Sequence, residues 1–201
     1  ITPATDVWVL WGEQQSFDIT ADACYHIDSV FVDGMYYGNI NYYTFNHVTT
    51  PHEISATFAP NVETITASAS EGGTIMPAGA VQLLCGESQT FTISPDDCHY
   101  IAEMLVNGIP VEVNNSYTFE NVEASQTISV SFESLMKQVT LNVDGDGGTL
   151  QPDADTAVTC GETLPIAITP APCHIIQSVQ VNGVEWTGFN PAGDVYTFNN
   201  I

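Results

Sequence analysis

Arginine is missing from the 201 residues and lysine occurs once, at Lys137, against 24 aspartates and glutamates, a formal charge of −23. Grip on nucleic acid and on anionic lipid headgroups depends on Lys and Arg displacing counterions, so both are poor partners for this chain, and no nucleic acid is expected to bind. No run of 18 apolar residues occurs, which removes insertion of a membrane-spanning helix. No amphipathic helix of credible length can be traced, and there is no H-E-x-x-H, nucleophile elbow, phosphate-cradling glycine loop or Cys-His dyad. The chain therefore reads as non-enzymatic. Its one acidic position common to every copy of the repeat described next, Glu13, Glu87 and Glu162, follows the glycine of a turn. A catalytic pair of carboxylates belongs to a single cleft, so a triplicated glutamate reads as turn architecture.

What the chain has instead is repetition. Cys85 to Gly108, CGESQTFTISPDDCHYIAEMLVNG, is written again as WGEQQSFDITADACYHIDSVFVDG from Trp11 to Gly34 and as CGETLPIAITPAPCHIIQSVQVNG from Cys160 to Gly183. A fixed period makes each copy one supersecondary block. Three repeats of about 75 residues follow, bounded at 1–60, 61–135 and 136–201. The second is complete. The first lacks the opening strand that the others carry as ITASASEGGT and VTLNVDGDGGT, and the third lacks the closing strand present as EISATF and TISVSF, a pattern that reads as a window on a longer array.

Within a repeat, apolar side chains alternate with hydroxylated ones. Phe17 and Ile19, Phe91 and Ile93, and Ile166 and Ile168 share a face with their neighbours two positions on, as do Val30 and Val32, Met104 and Val106, and Val179 and Val181. Asp33-Gly34, Asn107-Gly108 and Asn182-Gly183 are dipeptides that accept positive φ at both centres of a tight hairpin. Short strands with one oily face and frequent turn signals predict an all-β fold, a tandem array of small sandwich-like modules. The joins at Ala59–Glu63 and Glu133–Lys137 contain no Gly-Ser tract and predict semi-rigid links.

The five cysteines follow the repeat. Cys85 and Cys98 stand at the same spacing as Cys160 and Cys173, and the ends of the intervening segment are expected to lie close together. That predicts disulfides Cys85–Cys98 and Cys160–Cys173 and an oxidising, extracellular compartment. Cys24 is then the unpaired thiol, buried against Trp11, which occupies its partner's position. His99 and His174 directly follow the second cysteine and raise zinc as a rival, but adjacent residues on an extended segment face opposite ways and a fourth ligand is lacking.

The run F-T-I-(S/T)-P, a Tyr/His pair with Ile, V-x-V-(N/D)-G, Y-T-F-x-N-V and a closing T-I-S-(V/A)-x-F resembles the divergent internalin-type B-repeats, also called Listeria–Bacteroides repeats. The likeness covers nearly the whole chain and is clearest from Thr64 to Phe132. It implies tandem modules of large secreted or surface-anchored bacterial proteins, acting as stalks, spacers or fibre bodies without catalytic residues. Their partners would be neighbouring repeats and other chains of a fibre. The cysteines depart from the familiar pattern, which often has Gly before the Tyr-His.

Three further site hypotheses come from the residues. Asp144 and Asp146 in D-G-D-G-G, followed by Asp153 and Asp155, offer hard oxygen ligands for calcium, although the distal glutamate of an EF-hand is missing and a Gly-rich hairpin explains the same letters. Trp8, Trp11, Tyr36, Tyr37 and Tyr42 in the first repeat and Trp186 in the third offer rings for stacking on glycans, the alternative function being a carbohydrate-binding or adhesin module, against core packing as the plainer reading. Asn114 lies in an N-glycosylation triplet, and Ser29 and Thr156 lie in triplets resembling a Bacteroidetes O-glycosylation pattern.

Overall fold

The alternation is realised as strand in a computed structural model that describes residues 1–201. There are twenty strands and no helix, as the β-branched and aromatic content of the alternating runs requires. The first repeat supplies β1 (Gln15–Asp18), β2 (Tyr25–Val32), β3 (Met35–Gly38), β4 (Tyr42–Phe45) and β5 (Ile54–Pro60). The second supplies β6 (Val62–Ala69), β7 (Gly73–Met76), β8 (Gly79–Leu84), β9 (Gln89–Pro95), β10 (His99–Val106), β11 (Ile109–Pro110), β12 (Ser116–Phe119) and β13 (Gln126–Ser134). The third supplies β14 (Met136–Val139), β15 (Gly148–Gln151), β16 (Thr156–Thr159), β17 (Leu164–Pro170), β18 (Gln180–Val181), β19 (Val184–Glu185) and β20 (Asp194–Phe198).

In the second repeat the strands form a five-stranded sheet, β11-β10-β13-β6-β8, and a three-stranded sheet, β12-β9-β7. Their apolar faces supply Ile65, Ile93, Phe91, Met104 and Ile128, each 2% exposed or less. Phe91 meets Phe119 edge-on at 5.9 Å, and Tyr117 meets Phe119 at 4.9 Å, a geometry favoured by the ring quadrupoles. The Tyr-Thr-Phe runs of the other repeats repeat the second contact, Tyr43 on Phe45 and Tyr196 on Phe198, both at 4.9 Å. Hydroxyls on the outward faces pair across strands, Ser16 with Thr44 at 2.9 Å and Thr90 with Thr118 at 2.8 Å.

The chain divides into two compact units, one formed by residues 1–68, 75–93 and 104–129, the other by 69–74, 94–103 and 130–201. Each unit contains one passage from a closing strand to the next opening strand: β5 into β6 in the first, β13 into β14 in the second.

Strands shrink where the repeat supplies no neighbour. The third repeat has no counterpart of β13, and β18 holds two residues where β10 holds eight. Val179, which matches the buried Met104, is only half-buried, and Ile175 is 73% exposed. In the first repeat no counterpart of β6 flanks β5, whose only partner is β2. Phe58 is 39% exposed there, whereas Phe132, its counterpart on β13, is 8% exposed because Gly73 lies against its ring. A Cβ on Gly73 would stand 2.5 Å from Phe132 Cζ, so only glycine fits. Phe132→Ala should therefore cost about 3–5 kcal/mol of unfolding free energy and Phe58→Ala well under half of that, read from denaturant titrations of the two variants.

The hairpin dipeptides adopt the expected backbone: Asp33 and Gly34 have φ of 49° and 77°, with Asn107-Gly108 and Asn182-Gly183 within a few degrees. In the first repeat the turn side chain is also a charged acceptor. Asp33 Oδ1 receives the Glu53 N–H at 2.9 Å and Oδ2 lies 2.7 Å from His52 Nδ1. In the second repeat Asn107 and Gln126 make the neutral version, Asn107 Oδ1 accepting from the Thr127 N–H at 2.9 Å. The backbone amide of Glu53, and secondarily His52, hold the Asp33 carboxyl below its usual pKa. A depressed folded pKa contributes stability that is present above the unfolded value and lost as pH falls through the folded one. Asp33→Asn keeps the acceptor and removes the titration, so its pH–stability curve should part from that of the parent only below about pH 4, where the parent loses more.

Candidate functional site: the junction between repeats

The cysteines bond across repeats, not within them. Cys24 pairs with Cys85 and Cys98 with Cys160, at Cα separations of 5.2 and 5.3 Å, and Cys173 is free and exposed. The expected Cys85–Cys98 and Cys160–Cys173 bridges are thereby overturned, as is the expectation that Cys24 is the lone thiol. The reason is geometric. Between the two cysteines of one repeat runs β9, or its counterpart β17, and seven extended residues span about 20 Å, far beyond the reach of one disulfide. Trp11, expected to cover a free Cys24, is 80% exposed.

The second cysteine of a repeat sits at the end of the turn that follows this strand, in the left-handed region: φ is 66° at Cys24, 65° at Cys98 and 64° at Cys173. That conformation favours glycine. The first cysteine of the next repeat opens a glycine turn, with Gly86 at φ 90° and Gly161 at 88°. Between the two sulfur-bearing turns passes a single non-strand residue. Asn61 donates its N–H to the Cys24 carbonyl at 2.8 Å and accepts from the Cys85 N–H at 2.9 Å. Leu135 does the same between Cys98, at 2.7 Å, and Cys160, at 2.8 Å. β5 runs into β6, and β13 into β14, with only that residue between them.

Side chains add to the fastening. His26 Nδ1 lies 2.9 Å from Asn61 Oδ1, and His99 Nε2 lies 3.3 Å from Ser134 Oγ. The Tyr100 hydroxyl donates to Glu133 at 2.8 Å, which with the carboxylate's charge raises its pKa. The triplicated glutamates take part in the turn at the same end: Val48, Val122 and Ile201 donate N–H groups to the carbonyls of Glu13, Glu87 and Glu162. The Glu87 carboxylate also receives the Leu84 N–H at 2.9 Å. Each disulfide closes a loop of 61 or 62 residues, worth about 4 kcal/mol in the loop-entropy account. Each backbone hydrogen bond adds about 1 kcal/mol net.

The other candidate residues are scattered. Trp8 and Trp11 line an open cleft in the first repeat, without Tyr36, Tyr37 or Tyr42. Tyr36 packs on Phe31, Tyr37 on Tyr43, and the Tyr42 hydroxyl donates to Ser16 while accepting from Thr44. Trp186 packs on Tyr196 and Phe189 in the third repeat. No group of three or more His, Cys, Asp or Glu side chains converges on a metal position. Of the four aspartates weighed for calcium, Asp155 accepts the Leu141 N–H at 2.9 Å, and all four are exposed. For zinc, four of the five sulfurs are in disulfides. Asn114 is exposed, Ser29 is bonded to Asp28 and Thr57, and Thr156 donates to the Ala154 carbonyl.

No family model, curated protein or solved structure matches the chain. What is established is the class: an all-β protein with two disulfides, which point to a non-reducing compartment, and with no helix long and apolar enough to cross a membrane.

Alkylating the unreduced chain before digestion should label Cys173 and no other cysteine, with linked peptides holding Cys24 to Cys85 and Cys98 to Cys160 in the mass map. Linked peptides holding Cys85 to Cys98 would contradict the assignment.

Proposed function

We propose that the chain is a non-catalytic, extracellular stretch of tandem β repeats serving as a stalk, spacer or fibre body of a bacterial surface or secreted protein. The observation that supports this most is the double fastening of each junction, where a disulfide and a pair of backbone hydrogen bonds hold the end of one repeat to the start of the next. A module that must swivel to present a ligand site has no use for covalent ties at its hinges, whereas a spacer that must hold distance does. The acidic surface suits this role, since a charge of −23 keeps neighbouring chains apart and in solution. Loss of either disulfide frees a junction, and the spacer role predicts that the repeats then open independently.

The test is on the producing cells. Antibodies against the chain should stain intact cells, and thiols trapped at harvest should leave Cys24, Cys85, Cys98 and Cys160 oxidised. Staining that needs permeabilised cells, or recovery of these cysteines reduced, contradicts the proposal.

A further inference from the structure

The outward face of the β3-β2-β5 sheet joins rings to an ionised carboxylate. Val30 and Val32 point into the core at 0% and 3% exposure, so Ser29 and Phe31, at the alternate positions of β2, face outward. Tyr36 stands opposite Phe31 on β3, with the two rings 5.7 Å apart, and is 66% exposed. A bulge between Ile27 and Ser29 leaves Asp28 without a partner on β5 and brings its carboxylate to the Ser29 side of the sheet. Ser29 Oγ and Thr57 Oγ1 both donate to Asp28 Oδ2, at 2.8 and 3.0 Å, which leaves Oδ1 open. Those two bonds, Ser29 first, hold the carboxyl below its usual pKa.

No cation of the chain answers this charge. The one salt bridge is His52 with Asp33, and arginine is absent. One pleat repeat, about 7 Å, separates Ser29 from Phe31, so a single cationic group can touch the rings and reach the carboxylate. The counterparts of Asp28, Phe31 and Tyr36 are Ala102, Leu105 and Pro110 in the second repeat and Gln177, Gln180 and Glu185 in the third. The combination occurs once. Its residues sit on β2 and β3, and β3 ends its sheet just as β11 ends that of the complete second repeat, so no strand of the repeat pattern is missing on this side.

We propose that this outward face of β2 and β3 is a docking site for an arginine-bearing segment of a different protein. A guanidinium seated against Phe31 and Tyr36 gains cation–π attraction from the rings, and its N–H groups donate to the open Asp28 oxygen. Complementarity of charge selects this ligand, because an anionic site in a chain of charge −23 repels phosphates and acidic sugars. A second copy of this chain cannot supply the group, having no arginine. Neither main hollow of the repeat includes Asp28, Phe31 or Tyr36, so a free amine would be held from one side only. A segment lying along the sheet adds contacts at Ser55, which stands beside Phe31 on β5. The site does not depend on the spacer role.

The test uses the intact, unreduced chain and a short labelled peptide of alternating threonine and arginine, at physiological salt, where general attraction to a polyanion is screened. Saturable binding at one site per chain is expected, lost when citrulline replaces arginine and weakened at least tenfold by Asp28→Asn or Tyr36→Ala. Glu103→Gln, which removes an equal charge from the second repeat, should leave the affinity unchanged. In the unsubstituted chain, amide NMR shifts on adding the peptide should centre on Ser29, Phe31 and Tyr36, a readout that needs no variant to fold. No saturable binding, equal loss with Glu103→Gln and Asp28→Asn, or binding of the citrulline peptide or of a neutral oligosaccharide as tight as that of the arginine peptide would overturn the proposal.

Discussion

One extended residue at each junction, Asn61 or Leu135, is clamped between two cysteine-bearing turns by hydrogen bonds at both its N–H and its carbonyl. The turns are in turn joined through sulfur. Everything at the junction follows from bringing those turns together. The strand must pass without a bend, so β5 and β6 are separated by one residue, and so are β13 and β14. The end of one repeat thereby becomes the start of the next, with no loop in which a hinge could form.

This arrangement answers a difficulty of size. A unit of about 75 residues buries too little surface to be comfortable alone. An in-repeat bridge would tighten each unit separately; the bridges observed make neighbours share the stabilisation. The cross-links enclose whole stretches of repeat rather than one strand, and the closed loops are correspondingly long. Each compact unit contains one of the two disulfides.

Much of the fold was legible because alternation is a local signal. Phe91, Ile93, Val30, Val32 and Met104 were marked by their spacing alone and are buried. The Asp-Gly and Asn-Gly pairs carry their own backbone conformation into the hairpins. The length of a strand was not legible, because it depends on a partner: the QSVQV run of the third repeat has the same pattern as its siblings, yet only Gln180 and Val181 are strand where no closing strand lies alongside.

The junction was misread for a different reason. The cysteines of one repeat look like partners because they recur as a pair, but the strand between them holds them apart, and a strand's length is written in the same letters that suggested the pairing. One sign pointed forward along the chain: Trp11 stands in the first cysteine's place, so Cys24 has no mate inside its own repeat. Holding the chain by its two ends in a force-extension experiment tests the forward pairing most directly, because the bridges remove residues 25–84 and 99–159 from the extensible path. Adding reductant to the fully stretched chain should lengthen it by roughly 400 Å, at about 3.4 Å per released residue. A gain of only about 80 Å, the length hidden by bridges within single repeats, or no gain at all, would contradict the account.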